Sequence, residues 1–167
     1  MESNIEVMRN SICFWVLLLS VTACKTLSRV ERTERDAKVA QAVENMLSER
    51  SYTVTISMMY PRRGNSVNVT PDFSLQVKGD TLMSYLPYYG RAYSVPYGGG
   101  KGLNFTAPIQ DYRVTKGHKG NTLITIIVNN GEDILKYNLD IYANGSTTIN
   151  VFARDRESIS FSGYLQL

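Results

Sequence analysis

The sequence has very little of the chemistry from which many metal and redox sites are built. Its 167 residues include two cysteines, Cys13 and Cys24. Both precede the part of the chain that we predict to fold, so the folded domain contains no thiol. A disulfide, a cysteine-based metal site and a cysteine nucleophile are therefore excluded from that domain.

Histidine is almost as scarce, since His118 is the only one in the chain. It stands in the motif Gly117-His118-Lys119-Gly120, a predicted turn, with no cysteine or carboxylate motif beside it. The carboxylates of the predicted sheet region are scattered without a recognisable pair: Asp72, Asp111, Asp140 and Asp155. We predict no metal, no cofactor and no assignable catalytic residue. A serine or tyrosine nucleophile stays open.

The chain also lacks a concentrated charge of one sign. Its formal net charge is +3. The basic doublets, Arg62-Arg63 and the neighbourhood of His118-Lys119, fall in predicted turns. Binding to nucleic acid needs a clustered basic face, so we predict no nucleic-acid partner.

The longest apolar run is too short to cross a membrane as a helix. It covers 12–23, ICFWVLLLSVTA. At about 1.5 Å per residue it spans about 18 Å, against about 30 Å for the hydrocarbon core. It is typical of a signal peptide. It ends in Val21-Thr22-Ala23-Cys24, which resembles the bacterial lipobox.

The lipobox resemblance implies a lipid anchor. In such signals the cysteine thiol receives a diacylglycerol, and cleavage before the cysteine frees its amine for a further acyl chain. We therefore expect a lipoprotein signal peptide over 1–23, lipidation at Cys24 and a lipidated tether over 24–30. Several acyl chains on one residue make a stable membrane anchor. The alternative is a plain secretory signal or a buried cysteine.

Two further features of the N-terminus bear on sorting and on translation. The residue after Cys24 is Lys25 and not the aspartate that retains some lipoproteins at the inner membrane, and no acidic cluster follows. We therefore expect an outer membrane lipoprotein that faces the periplasm. Glu2 and Glu6 precede the run, whereas such leaders are normally basic, so we expect Met8 and not Met1 to be the initiator.

The rest of the chain, 31–167, predicts a single α+β domain. Residues 31–50 form the one convincing helix, because apolar side chains recur at helical spacing: Val39, Val43, Met46 and Leu47. From Ser51 onward, strands alternate apolar and polar residues and are separated by Gly/Asn/Asp turns. We predict one N-terminal helix packed on a curved or partly closed antiparallel meander of about eight strands.

One segment, 85–102, interrupts this pattern with YLPYYGRAYSVPYGGGKG. It is no phosphate loop, because Gly102 follows Gly100-Lys101 and a predicted strand follows the segment. In a structural interpretation, its rings cover an open end of the sheet. In a functional one, the tyrosines and an arginine line a groove for a glycan, lipid or peptide: Tyr85, Tyr88, Tyr89, Arg91, Tyr93 and Tyr97.

The same segment carries a family resemblance. The lipobox, the helix and the motifs Tyr85-Leu86-Pro87-Tyr88, Gly90-Arg91-Ala92-Tyr93 and Pro96-Tyr97-Gly98 resemble a family of Bacteroidetes lipoproteins of unknown function, the DUF4251 type. The resemblance implies an envelope lipoprotein and assigns no catalytic residue. Within it, Asp80-Thr81-Leu82 matches the acceptor pattern of periplasmic O-glycosylation in that phylum, which makes Thr81 a candidate glycosylation site.

These observations favour a lipid-anchored envelope protein, a non-enzymatic binding or structural module that uses the tyrosine-rich segment. The alternative is a hydrolase that processes envelope components or glycans. A hydrolase needs a carboxylate pair or an activated nucleophile beside the tyrosines, whereas a binding module needs only the aromatic surface. An acid such as Asp111 pointing into a cleft beside Tyr88 would favour the enzyme.

Overall fold

The computed structural model describes residues 29–70, 72–90, 93, 102–118 and 120–167. The expected signal peptide, Cys24, Arg91 and Tyr97 lie outside the described residues. The chain divides into two compact units, 1–38 and 39–167. The described part of the first unit is helical and carries an ion pair of 3.8 Å between Glu31 and Arg35.

The helix α1 occupies 29–48 of the described chain, within two residues of the prediction at each end. In its second half, Val43 is buried, and Val39, Met46 and Leu47 pack against the core. Just after the helix, Arg50 adopts a φ of 50° and its N–H bonds to the carbonyl of Leu47 at 3.3 Å. Such a left-handed residue is a common helix stop. Among the described residues, no helix combines the length and apolarity that crossing a membrane requires.

In the described part of the chain, nine strands follow the helix. They are β1 Ser51–Pro61, β2 Val67–Asn68, β3 Ser74–Lys78, β4 Thr81–Leu86, β5 Leu103–Lys116, β6 Thr122–Asn129, β7 Ile134–Ile141, β8 Ser146–Ala153 and β9 Ile159–Leu165. Each described pairing is antiparallel, and β1 pairs with β9 as well as with β3. The strands other than β2 therefore close into a ring. The predicted α+β meander is confirmed, and it is fully closed.

The interior of the ring is the hydrophobic core. Alternation along each strand turns every second side chain inward, as the burial of Val54 and Ile56 in β1 illustrates. Tight turns keep the strands in register; Gly79 and Asp80 join β3 to β4, and the φ of 58° at Gly79 suits glycine. Tyr137 and Phe161 are the largest of the completely buried side chains.

The strand β5 is longer than the sequence predicted, because LNF and IQDYRVTKG form one continuous strand of 14 residues. Its pairing with β4 stops at Pro108, whereas its pairing with β6 continues to Lys116. A register shift lies between Ile109 and Asp111. The hairpin of β5 and β6 therefore projects beyond β4.

The antiparallel arrangement gives the ring two ends. We call the first the helix end; it contains the end of α1 and the turns β3–β4, β5–β6 and β7–β8. We call the second the tyrosine end; it contains the segment that joins β4 to β5 and the turns β6–β7 and β8–β9. Of the residues predicted from the sequence to bind a ligand, the described ones belong to the tyrosine end: Tyr85, Tyr88, Tyr89 and Tyr93.

Candidate functional site

The β8–β9 turn at the tyrosine end is organised by one buried carboxylate. Asp133 is 4% exposed. Its oxygens accept hydrogen bonds from the backbone N–H groups of Ile134, Arg154 and Asp155, at 2.7, 3.3 and 3.3 Å. A carboxylate that accepts several backbone N–H bonds holds a turn firmly, since charge-assisted bonds are stronger than neutral ones.

This turn holds the tyrosine-rich segment at two points. The hydroxyl of Tyr88 donates to the carbonyl of Glu157 at 3.0 Å. The backbone N–H of Tyr93 donates to the carbonyl of Asp155 at 2.8 Å. In addition, the guanidinium of Arg156 lies over the Tyr88 ring, 5.7 Å from its centre. The segment is thus fixed to the ring of strands on both sides of Gly90.

Two ion pairs lie beside these contacts. Arg156 and Glu157 are both buried, at 8% and 6% exposure. Arg156 pairs with Glu132 at 3.4 Å, and Glu157 pairs with Arg63 at 3.5 Å. The Arg156–Glu132 pair is largely shielded from water, whereas Arg63 is 68% exposed and its pair with Glu157 is correspondingly weaker.

Tyr88 points inward and acts as a structural support. Its ring is half-buried and packs against the core. Burial raises the pKa of the Tyr88 hydroxyl, although the nearby Arg156 guanidinium opposes the increase. The hydroxyl is therefore protonated at neutral pH, which its hydrogen bond to Glu157 requires.

The other described tyrosines of the segment point outward. Tyr85, Tyr89 and Tyr93 are 51%, 66% and 68% exposed. Tyr85 stacks on Phe73, with ring centres 5.2 Å apart and planes at 24°. It also borders a surface depression of about 290 Å³ with Phe105. Tyr88 therefore has the inward position that the structural interpretation requires. The three exposed rings have the position that the functional interpretation requires, and ligand binding by them stays a prediction.

Asp111, the acid that the sequence analysis singled out, does not lie beside Tyr88. Asp111 lies eight residues beyond Leu103 along β5, which corresponds to about 25 Å from the tyrosine end at about 3.3 Å per residue. It pairs there with Arg113 at 2.8 Å. At the tyrosine end itself, Asp155 pairs with Arg154 at 3.0 Å. Among the described residues, no group of three or more His, Cys, Asp or Glu side chains could hold a metal ion.

Two other sequence candidates lie at the helix end. His118 is exposed in the β5–β6 turn, far from the tyrosines. Thr81 begins β4, and its side chain is half-buried. Glycosylation at Thr81 stays a prediction.

Sequence reasoning missed a cavity of about 380 Å³ at the helix end. Its walls come from the second half of α1, the projecting part of β5 and the β7–β8 turn. The apolar residues Val43 and Leu47 were visible as a helical stripe, but nothing in the sequence indicated that the stripe stops short of filling the space beside β5.

Residues 34–165 match a family model described as "Domain of unknown function (DUF4251)". The chain belongs to the DUF4251 family. The match spans both ends of the ring, and it confirms the family that the tyrosine-rich motifs predicted. A search of curated proteins found no match to the chain.

A crystal structure of a DUF4251 family protein from Bacteroides eggerthii is similar to the chain, with a TM-score of 0.61. The two are 14% identical, and the similarity covers 79% of this chain and 89% of that one. At this identity the likeness shows a shared fold. A shared fold does not identify an activity, because function depends on the side chains at a particular site.

Proposed function

We propose that this DUF4251 protein is a lipid-anchored, non-enzymatic binding module of the cell envelope, and that it holds a glycan on the tyrosines exposed at the tyrosine end. One observation carries the proposal. Tyr85, Tyr89 and Tyr93 are each more than half exposed, although the segment that bears them is fixed by hydrogen bonds.

Exposed rings on a fixed segment are suited to recognition. Tyrosine is enriched at binding surfaces, where one side of its ring is apolar and its hydroxyl meets water. Tyrosine offers a flat apolar face and a hydroxyl, which complement the faces and hydroxyls of a sugar ring. Because the segment is already held by the β8–β9 turn, binding costs little additional ordering. Arg91 and Tyr97 belong to the proposed surface but lie outside the described residues.

The anchor is the second part of the proposal. The lipobox residues and Lys25 support lipidation at Cys24 and a position on the outer membrane, facing the periplasm. Metabolic labelling with an alkynyl fatty acid tests this directly. The native protein should incorporate the label and fractionate with outer membranes, and Cys24→Ser should do neither. Label retained in Cys24→Ser would contradict lipidation at this residue.

Glycan binding is tested separately, with the purified protein on an array of bacterial and plant oligosaccharides. For any glycan retained, the double variant Tyr89→Ala/Tyr93→Ala should weaken binding by at least about tenfold. Tyr164→Ala is the matched control, because Tyr164 is 61% exposed on β9 at the helix end. An equal loss in both variants would contradict a site at the tyrosine end.

The same surface could instead hold a peptide or a lipid, and the experiment separates these outcomes. A peptide array and vesicles of mixed phospholipids are probed in parallel. Retention on either one, with none on the glycan array and with the same dependence on Tyr89 and Tyr93, would keep the binding surface and overturn the glycan.

A further inference from the structure

The cavity at the helix end lies between α1, β5 and the β7–β8 turn. Its volume of about 380 Å³ falls at the small end of the range of about 300–1,000 Å³ that ligand pockets span. Most of its wall is apolar: Ala40, Val43, Leu47, Tyr112, Val114, Ile141, Tyr142 and Ala143. Such a cavity at the mouth of a closed sheet is a frequent ligand site.

Val114 shows that the hairpin side of the cavity is incompletely covered. It aligns with Ile124 on the inward-facing side of the β5–β6 hairpin. Ile124 is 1% exposed, but Val114 is 50% exposed. The difference arises because the pairing of β5 with β4 ends at Pro108, so no β4 residue covers Val114. A ligand in the cavity would remove the apolar surface of Val114 from water.

Arg50 forms the cationic part of the wall. Its guanidinium lies over the Tyr112 ring, 4.4 Å from the centre. The Tyr112 hydroxyl in turn lies 3.1 Å from the hydroxyl of Tyr52. Arg50 also has a left-handed backbone, where glycine is usual and other residues cost about 1 kcal/mol. This backbone conformation ends α1 and turns the Arg50 side chain to the wall of the cavity.

The hydrogen-bonding capacity of Arg50 exceeds what its described contacts use. Its Nη1 donates to the Asp80 carboxylate at 3.3 Å, whereas a guanidinium has five N–H donors. Asp80 is 88% exposed, and exposed ion pairs are weak. The guanidinium can therefore donate hydrogen bonds to a second anion with little loss of free energy from its pair with Asp80.

Lys116 supplies a second cation on the rim. Its Nζ lies 3.4 Å from Glu44 and 3.3 Å from the hydroxyl of Thr122. The side chains of Lys116 and Glu44 are 68% and 65% exposed, so this pair is also weak. The lining thus has two cations, Arg50 and Lys116, and among the described residues each is paired only with an exposed carboxylate, Asp80 or Glu44. A ligand carboxylate that is better shielded from water can replace such weak pairs.

We propose that this cavity is a second binding site, for a small molecule with a compact apolar body and one carboxylate group. The apolar body contacts Val43, Leu47 and Val114, the carboxylate is held by Arg50, and Lys116 adds positive charge at the rim. The inference is independent of the glycan surface, because the two sites lie at opposite ends of the ring and share no described residue.

The test uses three probes that share an apolar body and differ in one group: phenylbutyrate, phenylbutanol and phenylbutylamine. Calorimetric titration of the purified protein should give phenylbutyrate the lowest Kd, by at least about tenfold over the alcohol. Arg50→Met and Lys116→Met should reduce this preference for the acid and leave the affinity for the alcohol unchanged. Nuclear Overhauser contacts should join the phenyl protons to the methyl groups of Val43 and Val114.

Two tryptophan variants distinguish binding inside the cavity from non-specific binding. Val114→Trp fills the space and should abolish binding of all three probes. Leu123→Trp places the same ring on the outer face of the same hairpin and should leave binding unchanged. Equal affinity for acid, alcohol and amine would overturn the anionic class. No measurable heat, or contacts to methyl groups outside the cavity, would overturn the site even if Val114→Trp failed to fold.

Discussion

The hydroxyl of Tyr88 donates a hydrogen bond of 3.0 Å to the backbone carbonyl of Glu157. This contact joins the beginning of the tyrosine-rich segment to the turn between β8 and β9. The ring that makes it is half-buried, whereas Tyr89, the next residue along the chain, is 66% exposed. The two adjacent tyrosines therefore differ in their surroundings: Tyr88 is bonded to the β8–β9 turn, and Tyr89 is exposed to solvent.

Removing the Tyr88 hydroxyl should weaken the fold modestly. We expect Tyr88→Phe to lower the free energy of unfolding by about 1 kcal/mol, the usual net value of a hydrogen bond. Tyr88→Ala also removes half-buried packing and should cost about 2 kcal/mol or more. Urea unfolding measures both. Tyr89→Ala is the control and should change stability by less than about 0.5 kcal/mol. Equal losses of stability in Tyr88→Ala and Tyr89→Ala would contradict a structural role specific to Tyr88.

Asp133 should influence the position of Tyr93 through the backbone of the β8–β9 turn. Its carboxylate holds the backbone of Arg154 and Asp155, and the Asp155 carbonyl holds Tyr93. Asp133→Asn replaces one carboxylate oxygen by an amide nitrogen, which cannot accept a backbone N–H. We expect a loss of about 1.5 to 3 kcal/mol in the free energy of unfolding and a weaker affinity for any glycan bound at Tyr93.

The control for that change is Asp155→Asn in the same turn. The Asp155 carboxylate pairs with an exposed arginine, Arg154, and should matter little to stability. The Asp155 carbonyl that binds Tyr93 is unaffected by this substitution. Loss of glycan affinity in Asp155→Asn but not in Asp133→Asn would show that the turn does not act through its backbone.

The sequence predicts the strands of this fold better than it predicts their closure. Alternation and turn residues define each strand locally, and these signals located the described strands, although β5 is longer than they indicated. Closure depends on the pairing of β1 with β9, which are separated by most of the domain and carry no local signal for each other. Similarly, an apolar run such as 123–128 is typical of the central strand of an open sheet, but a closed ring has no central strand, and Leu123 is 39% exposed.

The candidate site, like the fold, was predictable from the sequence only in part. The composition of the segment 85–102 marked the tyrosine end correctly as distinct. Which tyrosine faces inward depends on partners 60 or more residues away, such as Glu157 for Tyr88. The cavity at the helix end depends on how far β5 extends past β4, a property of pairing rather than of composition. Local sequence signals do not report such long-range relationships.

Closure of the ring also requires glycine at position 163. A side-chain carbon added at Gly163 would overlap the backbone carbonyl of Thr55 on β1. The two strands approach closely there, beside the register shift between Ile56 and Met58. A backbone group cannot move aside as a flexible side chain can, so Gly163→Ala should cost about 3 kcal/mol or more, or prevent folding.

Thermal and urea unfolding of Gly163→Ala measure this effect. Thr148→Ala is a matched control, because Thr148 lies on the neighbouring strand β8 with its side chain exposed. It should leave the free energy of unfolding within about 0.5 kcal/mol of the parent value. A Gly163→Ala variant as stable as this control would show that β1 and β9 are not in close contact at this position.

Buried tyrosine hydroxyls should make the fold sensitive to alkali. Burial raises the pKa of Tyr137, whose hydroxyl donates to the Ser84 hydroxyl at 3.2 Å. Burial and the neighbouring Tyr112 likewise raise the pKa of Tyr52. In the unfolded chain, tyrosine ionises near about pH 10. Above that pH the folded state retains protons that the unfolded state releases, so the stability contribution is complete below about pH 10 and is lost as the pH rises further.

The free energy of unfolding should therefore be independent of these groups up to about pH 9 and then fall, by up to about 1.4 kcal/mol per pH unit for each buried tyrosine. Tyr137→Phe removes one such group and should make the decline shallower, even though it loses a hydrogen bond at neutral pH. Phe161→Leu is the control: it weakens the same core without a titrating group, so it should lower the whole curve and leave its slope unchanged. A slope that is the same in the parent and in Tyr137→Phe would mean that Tyr137 ionises alike in the folded and unfolded chains, which is incompatible with its complete burial.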